Sequence, residues 1–113
     1  MDILDRKMEF TLETYLGTFT FRSLSPKQSL RVSAKMVEGS KEAGYQNPKE
    51  WWDNDPMSAA EYNFALSLDE AATEKPEGFG SWTDVTDGKL FSEATDAWRK
   101  FNEFFREESP ATA

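Results

Sequence analysis

Hydrophobic positions in this chain change their period near Ser25. From Met8 they alternate, with Met8, Phe10 and Leu12 on one face and Glu9, Thr11 and Glu13 on the other. A period of two marks a half-buried strand. The run Thr18-Phe19-Thr20-Phe21-Arg22 repeats it, and both runs are rich in β-formers. Tyr15-Leu16-Gly17 separates them, and Gly17 supplies the positive φ of a tight turn. The pattern predicts a β-hairpin over residues 8–22. A lone hairpin is marginal in water, so its apolar face must pack on helices.

The period then becomes helical. Ser25-Pro26-Lys27-Gln28 reads as a capping box with proline at the first helical position. Leu30, Ala34 and Val37, flanked by Met36, trace an inward stripe on this helix, and Lys27, Arg31 and Lys35 trace another face at i, i+4, i+8. Gly39 weakens the helix late and Gly44 ends it. Asn47-Pro48 starts a short helical turn through Trp51 and Trp52, and Asp55-Pro56 starts a longer helix. That helix carries Met57, Ala60, Phe64, Leu68 and Ala71 on one face. Tyr62 and Leu66 lie off the stripe, which suggests cover on two sides. Residues 76–81 read as a loop. Asp87-Gly88 opens the last helix, where Leu90, Ala94, Ala97, Phe101 and Phe104 run beside Phe91, Trp98 and Phe105. Phe19 and Phe21 are expected to face that aromatic stripe.

The resulting expectation is a mainly α fold with an N-terminal β-hairpin (α+β), the hairpin packed on a small bundle of three main helices. The 113 residues fit a single domain. It comprises a charged lead over 1–7, the hairpin over 8–22, a helical part over 25–108 and a flexible tail over 109–113.

Composition narrows the chemistry. The chain has no histidine and no cysteine. Disulfides, thiolate nucleophiles, Cys/His zinc sites and Ser-His-Asp chemistry are excluded with them. A calcium loop starting at Asp53-Asn54-Asp55 would need an oxygen ligand at its fifth position and glycine at its sixth, where Met57 and Ser58 stand. Asp84 and Asp87 are two carboxylates, too few to define a metal site, and Asp87 reads better as a helix cap. Gly78-Phe79-Gly80-Ser81 lacks the Gly-Lys-Ser/Thr of a phosphate loop. No cofactor and no catalytic residue is assigned, and the chain reads as a non-enzyme. No apolar run is long enough to span a membrane. The acidic start, Met1-Asp2-Ile3-Leu4-Asp5, does not read as a signal peptide.

Charge sharpens the partner question. The net charge is −8, from 21 acids and 13 bases. Residues 1–41 hold seven bases and five acids, whereas residues 42–113 hold six bases and sixteen acids. A negative chain is not expected to bind nucleic acid phosphates. Two readings of the asymmetry stay open. One is a solvated surface. The other is head-to-tail self-association through the basic stripe Lys27, Arg31, Lys35. The 16 aromatic residues argue against disorder. Most of them fall on strand or helix faces, but Tyr45, Trp51, Trp52, Phe79 and Trp82 lie in or beside connections near carboxylates. They are the candidate partner contacts. Adjacent Trp51 and Trp52 cannot both face one core, so one is expected inside and the other partly exposed.

Several segments carry a family resemblance. A Phe-rich hairpin leads through Leu24-Ser25-Pro26 into a helix. A middle helix runs into Glu74-Lys75-Pro76-Glu77-Gly78-Phe79. Leu90-Phe91 opens a helix holding Ala97-Trp98, Phe101 and a closing Phe104-Phe105-Arg106. Over roughly residues 8–107 this resembles the tail assembly chaperones of tailed bacteriophages. The resemblance implies a non-enzymatic protein in the cytoplasm of the infected bacterial host. It implies binding to the tape measure protein, recruitment of tail tube protein and self-association, and it assigns no ligand residues. The alternatives are an acidic DNA-mimic inhibitor of a host defence enzyme and a small virion structural adaptor.

Overall fold

β1 (Glu9–Thr14) and β2 (Gly17–Arg22) form the expected antiparallel hairpin, with Phe10 opposite Phe21 and Leu12 opposite Phe19. The computed structural model describes residues 8–108, with side chains through residue 103. The lead over 1–7, the tail over 109–113 and the side chains of Phe104, Phe105 and Arg106 lie outside the described residues. Tyr15 and Leu16 make the turn. Thr14 Oγ1 donates to the Gly17 carbonyl at 2.8 Å and accepts from Leu16 N at 3.1 Å. Gly17 has φ +134°, and a Cβ there would also lie 3.0 Å from the Pro76 ring. Both conditions favour glycine.

A third strand, β3 (Ala72–Glu74), pairs antiparallel with β2, so that β2 is central in a sheet of order β1-β2-β3. Three residues are too few to show a period, which is why the hydrophobic pattern does not reveal it. Phe19, Thr20 and Phe21 of this central strand are buried in succession.

α4 (Gly88–Glu108) covers the hairpin. Its cap is Asp87, whose Oδ1 accepts from Lys89 N at 3.0 Å and Leu90 N at 3.2 Å. Leu90, Ala94 and Trp98 are buried, with Ala97 and Phe101 half-buried beside them. Phe10 lies 4.7 Å from Phe101 and 5.3 Å from Phe21 between ring centroids, and Phe21 lies 6.5 Å from Trp98. Such offset and tilted ring pairs add to the area they bury. Phe21 therefore meets the stripe of the last helix as expected. Phe19 stacks on Phe21 at 5.8 Å and takes the edge of Phe79 at 4.8 Å. The sheet, residues 75–79 and α4 make up one compact unit.

Residues 24–71 and 80–84 make up a second unit. α1 (Pro26–Glu42) begins with the full Ser25–Gln28 capping box and is followed by Gly44 at φ +95°. Its inward residues are Val32, Met36, Gly39 and Ser40. The expected stripe is thus corrected: Leu30, Ala34 and Val37 are exposed. The reason is Gly39. A Cβ there would lie 2.4 Å from the Tyr62 ring, so the glycine leaves room for a close approach of α1 to α3. It sits on the inward face with Val32, Met36 and Ser40, where a larger side chain would not fit.

α2 (Pro48–Asn54) and α3 (Pro56–Ala71) complete this unit. Val32, Met36, Trp51, Ala59 and Leu66 form its core, with Leu24, Tyr45 and Tyr62 packed against them. Leu66 and Leu68 are both buried, so α3 is covered on both sides, whereas Met57, expected inside, is 73% exposed. Residues 82–84 form a 3₁₀ turn held to α3: Trp82 N donates to Asp69 Oδ1 at 2.7 Å, and Ser81 Oγ donates to Asp69 Oδ2. The chain is α+β and mainly helical, with the hairpin packed on a helix. No helix of the described residues is long and apolar enough to cross a membrane.

Candidate functional site

The corner between α2 and α3 decides where the two adjacent tryptophans point. Asn47 Oδ1 accepts from Glu50 N at 2.8 Å and fixes the start of α2. Asp55 N donates to the Trp51 carbonyl at 2.7 Å and ends it, while Asp55 Oδ1 accepts from Ser58 N at 3.3 Å and starts α3. Consecutive helical residues diverge by about 100°. Trp51 therefore turns into the core, 6% exposed, with its ring 5.7 Å from that of Tyr62. Trp52 turns to solvent and is 42% exposed. One of the pair is inside and the other outside, as expected.

Near Trp52 in sequence stand carboxylates and one base. Asp53 and Asp55 follow it in sequence, and Lys49 Nζ meets Asp53 Oδ2 at 2.8 Å. That pair is exposed, raises the Lys49 ammonium pKa through the Asp53 hydrogen bond, and adds little stability. Tyr62, beneath this corner, has its pKa raised by burial first and then by the charges of Glu42, Glu38 and Asp69.

The other candidates are distributed differently. Tyr45 is half-buried against the core of the second unit. Trp82 is 1% exposed, in the 3₁₀ turn against α3. Phe79 is half-buried against Phe19 in the first unit. Trp52 is thus the exposed ring of the five. Lys27, Arg31 and Lys35 are all exposed along α1, and Arg31 Nε is bound to Glu70 Oε1 at 2.8 Å.

The sequence reading passed over other exposed apolar residues. Leu30 and Val37 on α1, Met57 on α3, and Tyr15 and Leu16 in the hairpin turn all face solvent. The missed signal on α1 was the Gly39-Ser40 pair, which marks a close-packed face as readily as a weak helix.

Tyr15 and Asp87 form one polar contact of note. The phenol donates to Asp87 Oδ2 at 2.7 Å beside a depression of about 260 Å³ lined by Glu13, Thr14, Lys89, Leu90 and Glu93. That hydrogen bond raises the pKa of Tyr15. Together with the Leu90 amide it lowers that of Asp87. The pair ties the hairpin turn to the start of α4. Asp84 lies in the 3₁₀ turn, and Asp87 serves as a helix cap.

No protein-family model matches the chain, and no curated protein or solved structure does either.

Proposed function

We propose that this chain is a non-enzymatic protein-binding protein that acts as a tail assembly chaperone of a tailed bacteriophage. In this reading it works in the cytoplasm of the infected bacterium, binds the tape measure protein and helps recruit tail tube subunits. The observation that carries the protein-binding part is Trp52. Its ring is 42% exposed, and Met57, five residues on, is 73% exposed. Tryptophan and methionine are enriched in interfaces, and a tryptophan anchor often dominates the binding energy. The absence of histidine and cysteine from the whole chain supports the non-enzymatic part. The phage assignment rests on the resemblance of residues 8–107.

Co-expression tests it. With this chain present, a long helical tape measure protein should remain in the soluble fraction and co-purify. Trp52→Ala should weaken that complex by about 2 kcal/mol, roughly thirtyfold, while the fold persists. A tape measure protein that precipitates equally with and without this chain sinks the reading.

A further inference from the structure

α1 has two apolar faces, and its own unit uses one. Val32, Met36 and Gly39 turn inward. At 3.6 residues per turn, Leu30, Ala34 and Val37 fall on the opposite side. Leu30 is 70% exposed, Val37 is 40% exposed and Ala34 is exposed between them. One exposed leucine needs no explanation. Three apolar residues at i, i+4 and i+7 form a strip along two turns, the spacing by which one helix receives another.

The borders of the strip specify the partner. Ser29 and Ser33 lie on one side, short enough to let a backbone come close. Lys27, Arg31 and Lys35 lie on the other. That border carries these three bases and one acid, Glu38, so it stays net positive in a chain where acids outnumber bases 21 to 13. Glu70 partly neutralises Arg31. Lys27 and Lys35 form no ion pair among the described residues. Their charge is available to something outside the chain.

We propose that this face of α1 docks an acidic amphipathic helix of another protein. The partner's apolar seam lies on Leu30, Ala34 and Val37, and its carboxylates meet Lys27 and Lys35. The inference rests on the protein-binding reading above and names the chemistry of one partner. Apolar contact supplies the affinity. The lysines supply orientation, on-rate and discrimination against basic helices.

The test uses two labelled three-heptad peptides with leucine at a and d, one with glutamate and one with lysine at e and g. Fluorescence anisotropy at neutral pH and low salt should show the glutamate peptide binding roughly tenfold tighter than the lysine peptide, or better. Leu30→Glu should weaken binding roughly tenfold, and the double change Lys27→Glu with Lys35→Glu should reverse the preference between peptides. Leu30 is exposed, so the variant should fold, which circular dichroism checks. Equal binding of the two peptides, no binding, or binding indifferent to Leu30→Glu overturns the proposal. So does self-association in sedimentation velocity that Leu30→Glu abolishes, because the face then belongs to a second copy. A chain that solubilises a tape measure protein while failing the peptide test loses this surface and keeps its function. A chain that passes the peptide test and fails co-expression does the reverse.

Discussion

Both units bury large rings, but only the second also brings two helices together over a glycine. The first packs large rings: Phe10, Phe19, Phe21, Phe79, Trp98 and Phe101. The second brings helices together over small residues, with Gly39 against the Tyr62 ring and Ala59, Ser40 and Ser67 buried. A ring-filled core gains its stability from area, roughly 25 cal/mol for each Å² of apolar surface removed from water. A small-residue contact gains little area of its own, but it lets larger neighbours such as Trp51 and Met36 close over it. Either core suffers when a large side chain is removed, but the Gly39 contact also suffers when one is added.

Phe21→Ala should give the largest effect. The ring is fully buried and meets Phe10, Phe19 and Trp98. Its loss should cost about 3–5 kcal/mol in urea unfolding. A loss under about 1 kcal/mol would mean that the rings do not hold the first unit together.

Met36→Ala and Leu30→Ala make a paired test of which face of α1 is inside. Met36 is 4% exposed and Leu30 70% exposed. The first substitution should cost about 2–4 kcal/mol and the second less than about 0.5 kcal/mol. Reversed values would restore the stripe expected from hydrophobic spacing.

Gly39→Ala sharpens the contrast further. Alanine favours a helix over glycine by about 1 kcal/mol. Here its Cβ would meet the Tyr62 ring at 2.4 Å, and such overpacking costs about 1–3 kcal/mol. A net destabilisation of about 1 kcal/mol is expected from these opposing effects. At Gly88 a Cβ meets nothing within 4 Å, so Gly88→Ala should cost nothing of this kind. Stabilisation by Gly39→Ala would show that α1 and α3 do not approach so closely.

Tyr15→Phe should have the smallest effect, visible mainly as a pH dependence. Asp87 is depressed by the Tyr15 hydroxyl and the Leu90 amide. A depressed carboxylate contributes stability that is present above its ordinary value, about 4, and lost as pH falls through the lowered one. The raised Tyr15 works at the other end: its contribution is present below about 10 and is lost as pH rises through the raised value. Tyr15→Phe should flatten the acid limb in part and reduce the alkaline one, to which the raised Tyr62 and Lys49 also contribute. An unchanged profile in thermal unfolding against pH would show that the contact contributes nothing.

The same contrast explains what the sequence disclosed. Phe10, Phe21, Leu90, Trp98 and Phe101 are large, and their period places hairpin and α4 directly. Caps at Ser25, Asn47, Asp55 and Asp87 are local chemistry and stand where their side chains predict. The inward face of α1 was hidden because its key residue is a glycine, whose value lies in what it lets approach. β3 was hidden because a three-residue strand is specified by its partner β2 rather than by itself. Of the candidate contacts, the divergence of Trp51 and Trp52 follows from helix geometry alone. The burial of Trp82 depends on Asp69, thirteen residues earlier, which no local pattern reveals.

The sequence order of the first unit also sets a timetable. Its hairpin is made early, and the helix that covers Phe10 and Phe21 is made last. Ribosomes add about 5–20 residues per second, so for several seconds the paired strands exist before α4 does. An isolated hairpin is marginal over that interval. The first unit is therefore completed only when Trp98 and Phe101 have emerged, and newly made chains carry uncovered aromatic surface until then.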